Sequence, residues 1–356
     1  MAKENVTSPS QTRDERTRET SVFGRLLSRP DFGAIIALIV VWVFFAIVAF
    51  ENNFVSMQTT AAILNAAAPL GILAIAISLL MIAGEFDLSV GSMVGFAGMI
   101  LMVLVTSTSS GGFGLPLGIS LLITLALSLM LGYFNGLLVV KTKLPSFIIT
   151  LGTLFILRGL AIAIPRGRTN RTQLGGLDDV PGFAVIERLF GTEIQIAGGN
   201  FDIAILWMFG LGAVGSWFLS RTRMGNWVFG VGGDANAARN VGVPVDRLKV
   251  GLFMVTAFAG FLVALIFAVQ FNGSDSLRGT QLEFRAIIAV VVGGTLLTGG
   301  YGSIIGAMLG AIIFSMVQQG IVITGVDADW FQVFLGGILV AAVVFNNYIR
   351  LQAIKR

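Results

Sequence analysis

The chain has 356 residues, of which 55% are hydrophobic and only 12% are charged, whereas soluble domains carry about 25% charged residues. A water-soluble protein of this length could not bury so much apolar surface, so the composition indicates a membrane protein. The sequence contains no Cys and no His, which excludes disulfides, thiolate nucleophiles and imidazole bases and removes most zinc sites.

The apolar segments predict an all-α polytopic fold with about ten transmembrane helices, because a span needs about 20 mostly apolar residues. Residues 1–28 are polar and of mixed charge, which predicts a disordered cytoplasmic tail, and 29–356 form the transmembrane domain. The predicted spans are 33–50, 60–83, 92–107, 116–140, 147–164, 201–220, 250–271, 282–297, 303–323 and 330–348. Polar or Gly-rich segments interrupt the second, third, eighth and ninth spans, so an eight-span arrangement stays open.

The distribution of Lys and Arg predicts which loops are cytoplasmic. With the amino terminus inside, an even number of spans returns the carboxyl terminus to the same side. The inner segments then carry most of the 23 Lys and Arg residues, while the outer segments and span ends hold Arg158, Arg166, Arg168, Arg171, Arg188, Arg278 and Arg285. This bias follows the positive-inside rule, so the net charge of +4 is attributed to cytoplasmic loops rather than to nucleic-acid binding.

The longest hydrophilic stretch after the tail is 165–200, and it faces outward in this arrangement. Two interpretations remain open for this external loop. It is either a connector between spans or a small lid or docking surface for an external partner.

The first polar interruption runs from Gly84 to Ser92 and contains Glu85 and Asp87. Carboxylates near hydrocarbon are costly unless they are paired or line a wet cavity. Irregular backbone is tolerated at membrane depth only where protein or water covers it. The segment therefore either caps the following helix through Asp87 or breaks a helix beside a solute pathway.

The second interruption runs from Gly293 to Ser303 and is rich in Gly. Gly-Ser-x-x-Gly occurs at its end, from Gly302 to Gly306, and again from Gly91 to Gly95. Small residues at this spacing let helix backbones approach closely. The match also raises the possibility of two related halves, which many transporters have.

The inner loop 222–249 contains a predicted helix of about two turns. Asp234 is a suitable N-cap, Gly242 a suitable C′ residue, and Pro244 stops the helix from continuing. Such a helix is too short to be stable alone, so its apolar face of Ala237, Ala238 and Val241 needs a surface to lie against. That surface is either the bilayer or a groove in a partner protein.

In this order, the segments resemble the permease subunits of sugar-type ABC importers, the ribose, xylose, galactose and arabinose group. The resemblance covers roughly 33–348. Ile82 to Ser92 is similar to the family's Gly-Gly-Ile-Asp-Leu-Ser-Val-Gly-Ser stretch, and Gly232 to Gly242 is similar to its cytoplasmic Gly-Gly-Asn-x-x-Ala-Ala-Arg-x-x-Gly loop. Glu283 to Ser303 resembles its Glu-Leu-x-x-Ile-Ala-Ala-Val-Val-x-Gly-Gly run. Two departures are Glu85, where the family more often has Gly, and Asn236, where Glu is common.

The resemblance implies a type II ABC importer-like permease in the bacterial inner membrane, with both termini cytoplasmic. Its implied partners are cytoplasmic ATP-binding subunits, an external or periplasmic solute-binding protein, and a second permease copy in a homodimer or heterodimer. No cofactor is expected on this chain, since ATP and Mg would be held by the partner ATPase and the sequence has no phosphate-binding loop of its own. The residues expected to couple to that ATPase are Gly233, Asp234, Asn236, Ala237, Ala238, Arg239 and Gly242.

The resemblance implies import of a monosaccharide or sugar alcohol, and polar side chains near the interruptions are candidates for its pathway. They are Asn65, Glu85, Asp87, Ser89, Ser92, Asn135 and Thr298. The alternative is an ion-coupled secondary transporter of a small polar solute, which would also show broken helices and intramembrane carboxylates. Enzymatic activity is not expected, because no nucleophile–base pair or metal cluster stands out.

Overall fold

A computed structural model describes residues 30–327, 330–334, 336–337, 340 and 344. The predicted tail, 1–28, and most of the tenth predicted span, 330–348, lie outside the described residues. The α-helices of the described part are α1 Pro30–Val48, α2 Met57–Ile82, α3 Val90–Val105, α4 Leu117–Thr142, α5 Ser146–Thr169, α6 Phe183–Phe190, α7 Ala204–Arg221, α8 Arg223–Gly233, α9 Ala235–Asn240, α10 Val245–Gln270, α11 Leu282–Val292 and α12 Ile304–Ile323. The short strands are β1 Gln173–Gly175, β2 Glu193–Ile196, β3 Gly199–Asp202 and β4 Gly273–Asp275.

Among the described residues, 7 helices are long and apolar enough to cross a membrane, so the chain is a multi-pass membrane protein. They are α1, α2, α4, α5, α7, α10 and α12. The predicted count of about ten spans is not confirmed. The third predicted span corresponds to α3, which has 16 residues. The eighth ends at Val292 after 11 residues, about 16 Å of helix against a hydrocarbon core of about 30 Å.

The two ends of the helical bundle differ. At one end, called here the hairpin end, β2 and β3 pair antiparallel and the side chain of Asn65 on α2 donates to the carbonyl of Asn200. At the other end, called the α9 end, the short helix α9 joins α8 to α10. α2, α7 and α12 run between these ends, and α10 connects α9 to the β1–β4 pair.

The core is built around α2, α10 and α12, which are mostly buried, whereas α1, α4, α5 and α7 expose most of their surface. Among the outer helices, α4 packs mostly through small or polar residues. On α4 the buried positions recur every three or four residues and include Ser128, Gly132 and Gly136. The two glycines lie against the backbone of α10 at Phe253 and Val250, which is the close approach that small residues permit in lipid.

The segment between β4 and α11 is non-helical and lies against α3. The carbonyl of Arg278 comes close to Gly95, and the carbonyl of Gly279 comes close to Gly91, so that a side chain at either glycine would collide. The backbone here is irregular but covered by protein, which is the condition for irregular backbone at membrane depth. α11 therefore begins inside the bundle and is a half-helix.

Candidate functional site

The first helix break, residues 84–89, begins with a glycine-based helix end. Gly84 has φ +84°, and the Glu85 N–H donates to the carbonyl of Leu80 at 3.1 Å. This Schellman pattern satisfies carbonyls that α2 would otherwise leave unpaired. The chain then runs without helix until α3 begins at Val90.

Asp87 is the centre of a buried hydrogen-bond network in this break. Its side chain is only 2% exposed. One carboxylate oxygen accepts from the Ser89 N–H at 2.9 Å and the Ser89 hydroxyl at 2.6 Å, and the other accepts from the Thr256 hydroxyl of α10 at 2.5 Å. These donors offset the cost of burying the charge. Asp87 thus stabilises the turn into α3, but it is not the predicted cap, because Ser89 is the N-cap residue and α3 has no side-chain cap hydrogen bond.

Two outer helices complete the network. The Asn135 amide of α4 donates to the Ser89 hydroxyl at 3.0 Å and accepts from Thr153 of α5 at 2.7 Å. On α5, hydroxyl groups also hold the backbone of the break: the N–H groups of Phe86 and Leu88 donate to Ser146 at 2.9 Å and Thr150 at 3.1 Å. The sequence predicted Asn135 but missed Thr256 and the three α5 residues. The only signal for those three was their spacing on one face of α5.

The remaining predicted pathway residues lie in different places. Ser92 is buried in the first turn of α3, and its hydroxyl has no hydrogen-bond partner among the described residues. Asn65 is at the hairpin end, where its amide binds the backbone of β3. Thr298 is exposed in the second break. The structure therefore groups Glu85, Asp87, Ser89 and Asn135, with Ser92 one turn further on. Asn65 lies apart at the hairpin end, and Thr298 lies in the second break.

The second break, residues 293–303, starts in the same way as the first. Gly294 has φ +92°, and the Thr295 N–H donates to the carbonyl of Val290 at 3.2 Å. At its other end Ser303 caps α12 by accepting from the Gly306 N–H at 3.1 Å. The Ser303 hydroxyl also donates to the Asp31 carboxylate at the start of α1.

The two breaks meet at a cluster of glycines, called here the glycine junction: Gly84, Gly232, Gly299 and Gly300. The Gly300 N–H donates to the carbonyl of Ile82 at 2.8 Å. A Cβ at Gly232, near the end of α8, would collide with that same carbonyl. A Cβ at Gly299 would lie 2.8 Å from the Cα of Gly84. Only backbones without side chains pack this closely, so the end of α8 is wedged against both breaks.

α9 follows directly from this junction and has the predicted ends. The Asp234 side chain accepts from the N–H groups of Asn236 at 2.8 Å and Ala237 at 3.0 Å. Gly242 has φ +87°, and Pro244 precedes α10. The predicted single apolar face is wrong, however, because Ala238 is buried against its own chain while Ala237 is exposed and Val241 is 81% exposed.

A cavity of about 520 Å³ separates α9 from the first break. Lys249 of α10 forms an ion pair with Glu85 at its wall, and Arg239 of α9 pairs with Asp246 of α10 at 2.5 Å. Glu85, which departs from the family pattern, therefore connects the break to α10 rather than pointing at an empty pathway. In the described part of the chain, no group of three or more carboxylates is placed to hold a metal ion.

Helices broken inside a bundle of membrane-crossing helices are an arrangement common in membrane transport proteins. The family model described as "Branched-chain amino acid transport system / permease component" matches residues 59–343, and the chain belongs to this family.

Curated relatives in this family are named for solute import. The chain is 32% identical over 320 residues to the autoinducer 2 import system permease protein LsrC of Photorhabdus laumondii, covering 89% of this chain and 90% of the relative. It is 31% identical over 338 residues to the xylose/arabinose import permease protein XylH of Sulfolobus acidocaldarius, covering 93% and 88%. No solved structure matches the chain.

Proposed function

We propose that the chain is the membrane-spanning permease subunit of an ATP-driven importer that moves a monosaccharide or sugar alcohol across the inner membrane. The observation that carries the proposal is the glycine junction, which connects an exposed docking helix to both broken helices of a family permease. The solute class is supported by the relatives named for xylose, arabinose and autoinducer 2 import.

The proposed orientation puts the α9 end in the cytoplasm. Seven basic residues of the described chain lie at that end, against four at or beyond the opposite end of α5, in agreement with the positive-inside rule. The seven are Lys141, Lys143, Arg221, Arg223, Arg239, Arg247 and Lys249, and the four are Arg166, Arg168, Arg171 and Arg188. The cytoplasmic coupling loop is then 222–249, and the external loop, 165–200, faces the solute-binding protein. Both termini are cytoplasmic in this proposal.

α9 is the proposed contact with a cytoplasmic ATP-binding subunit. Ala238 is buried and holds α9 on its own chain, while Val241 is the large apolar side chain that a partner groove would cover. Apolar side chains that fill a partner's pocket dominate binding energy at interfaces. Gly233, Asp234 and Gly242 shape the helix, and Asn236, Ala237 and Arg239 lie beside Val241 on the exposed side.

Movement of α9 would reach the breaks through two connections. One is the glycine junction, where the end of α8 touches Ile82 and Gly300. The other is α10, which carries both Lys249, paired with Glu85, and Thr256, bonded to Asp87. ATP-driven closure of the ATP-binding subunits would then bias the permease between inward-open and outward-open states, which is alternating access by rigid-body movement.

The proposed solute pathway runs beside the breaks, between this chain and a second permease copy. Glu85, Asp87, Ser89 and Asn135 are engaged with one another or with neighbouring helices, so they shape the pathway wall. The Ser92 hydroxyl has no partner in the described chain, and Thr298 is exposed. These two hydroxyls are the better candidates for direct contact with sugar hydroxyls, and Asn65 would act at the outer end.

The test is reconstitution of this chain in liposomes with its candidate ATP-binding subunit and solute-binding protein. We expect the solute-loaded binding protein to stimulate ATP hydrolysis and solute uptake. Uptake that proceeds without ATP and stops when an ion gradient is collapsed would support the ion-coupled alternative instead. Failure of the chain to assemble with the ATP-binding subunit would contradict the proposed role of α9.

A further inference from the structure

A long apolar groove lies between α2, α7 and α10, away from the glycine junction. Its volume is about 370 Å³. Its walls are hydrophobic side chains and small residues apart from a single charged residue, Arg247, at its α9 end. The residues of α10 that line it are Arg247, Leu248, Gly251, Leu252, Val255, Phe258 and Ala259.

The length of the groove fits one leaflet of a bilayer. From Arg247 to Ala259 the helix rises about 18 Å, compared with about 15 Å for half of a hydrocarbon core about 30 Å thick. A sugar is excluded by chemistry, because the apolar walls offer no partners for its hydroxyl groups.

At the α9 end of the groove, Arg247 differs from the neighbouring basic residues in its ion pairing. Arg239 of α9 and Lys249 of α10 line the cavity between α9 and the first break. Arg239 is paired with Asp246, and Lys249 is paired with Glu85. Arg247 is exposed on the groove side and has no ion pair within the described chain. Trp217 also lines the groove and is 62% exposed, four residues before the end of α7. Trp at a helix end is typical of the headgroup level of a membrane.

We propose that this groove binds an anionic phospholipid. One acyl chain lies along α10, and the phosphate is held by Arg247 beside Trp217. Basic residues at the mouth of pockets between transmembrane helices are a recurrent way to bind anionic headgroups. The site would brace α10, the helix that carries Lys249 and Thr256, and it does not depend on the proposed solute or on the ATP-binding partner.

The proposal is tested by native mass spectrometry of the purified full chain titrated with phosphatidylglycerol or with phosphatidylcholine of the same acyl chains. The wild-type chain should bind phosphatidylglycerol more tightly. Arg247→Gln should weaken phosphatidylglycerol binding about fivefold, the effect of one basic residue near a membrane surface, and should weaken phosphatidylcholine binding less, because the choline cation already offsets the charge of its phosphate. The matched control is Arg188→Gln at the hairpin end, which should keep the wild-type preference.

A second variant tests the groove itself. Gly251 has open space where a side chain would begin, so Gly251→Leu should fill the groove without a clash and displace the lipid chain. Equal binding of the two lipids by the wild-type chain, an unchanged preference in Arg247→Gln, or unchanged phosphatidylglycerol binding in Gly251→Leu would overturn the proposal. Cross-linking of a Val255→Cys variant to a second permease copy would also overturn it, since the groove would then be a protein interface.

Discussion

The two helix breaks start alike but are held in different ways. Both follow a helix that ends at a left-handed glycine, Gly84 or Gly294. The first break is then fixed by side chains from α4, α5 and α10, with Asp87 at the centre. The second is fixed by backbone contacts of Gly299 and Gly300 with the ends of α2 and α8.

The difference separates two tasks within one membrane domain. A satisfied polar network inside a low-dielectric interior is rigid and costly to disturb, so we expect the first break to resist deformation. At the glycine junction of the second break, the contacts are between glycine backbones and involve no side-chain hydrogen bonds within the described chain. The junction is directly continuous with α8 and α9. We therefore propose that the second break carries most of the movement of α9, and that the first break, which reaches α9 through α10, moves less.

The largest effect is expected from Gly232→Ala. The added methyl would collide with the Ile82 carbonyl, and overpacking of this kind costs about 1–3 kcal/mol. We expect solute uptake by reconstituted protein to fall about tenfold or more. The control is Gly230→Ala on the same helix, where a Cβ meets nothing within 4 Å. Equal uptake by the two variants would show that the glycine junction does not transmit movement of α9 to the breaks.

Thr256→Val tests the anchoring network. It leaves one Asp87 oxygen without its donor from α10, and an unsatisfied buried acceptor costs about 1–3 kcal/mol. A lower midpoint of thermal unfolding is expected for the purified protein. The matched substitution Thr298→Val, in the second break, removes an exposed hydroxyl and should leave the midpoint unchanged. Equal unfolding midpoints for the two variants would show that side-chain hydrogen bonds do not stabilise the first break more than the second.

The Glu85–Lys249 ion pair is expected to have an intermediate effect, because its side chains are 11% and 18% exposed. Glu85→Gln and Lys249→Met should each slow uptake, and the charge reversal Glu85→Lys with Lys249→Glu should restore part of it. A double-mutant cycle on unfolding measures the coupling, expected at about 1–3 kcal/mol for a hydrogen bond between charged groups. A coupling of zero would remove this pair from the connection between α9 and the first break.

The smallest effect is expected at the hairpin end, outside the spans. Burial and then the neighbouring Glu193 carboxylate raise the pKa of Asp202 above its ordinary range, against the opposing hydrogen bond from Gln270. The folded chain thus holds this proton more tightly than the unfolded chain. Its contribution to stability is full below the ordinary pKa of Asp, about 3.9, and is lost as pH rises through the raised pKa.

The measurement for this prediction is thermal unfolding as a function of pH. The wild-type midpoint should fall as pH rises through that window, and Asp202→Asn should flatten this part of the profile. A midpoint that rises with pH in the wild-type protein and is unaffected by the substitution would contradict the assignment to Asp202.

The features that could be predicted from the sequence are those that depend on residues close together in the chain. The ends of α9 follow from Asp234 and Gly242, because a cap bonds to backbone only two or three residues away. The burial of Ala238 and exposure of Val241 did not follow, since the side that packs is decided by α8 and α10. Likewise Asp87 indicated a polar break, but Thr256, which donates to Asp87, and Thr150, which accepts from the Leu88 N–H, come from distant parts of the chain.

The predicted span count was not confirmed, for a related reason. Residues 282–297 are apolar enough to resemble a span, but Gly293 and Gly294 end the helix at Val292. Composition alone does not reveal that 273–281 lies against α3 and starts α11 inside the bundle. The glycine junction was equally invisible, because it joins residues near positions 84, 232 and 300.

Cross-linking from Val241 tests the central claim most directly. The chain has no Cys, so Val241→Cys and the control Val185→Cys at the hairpin end, 64% exposed, each carry one thiol. In membranes that contain the assembled transporter, a thiol-specific cross-linker should join Val241→Cys, but not Val185→Cys, to the ATP-binding subunit. Cross-linking of that subunit to Val185→Cys alone would contradict both the orientation and the role of α9.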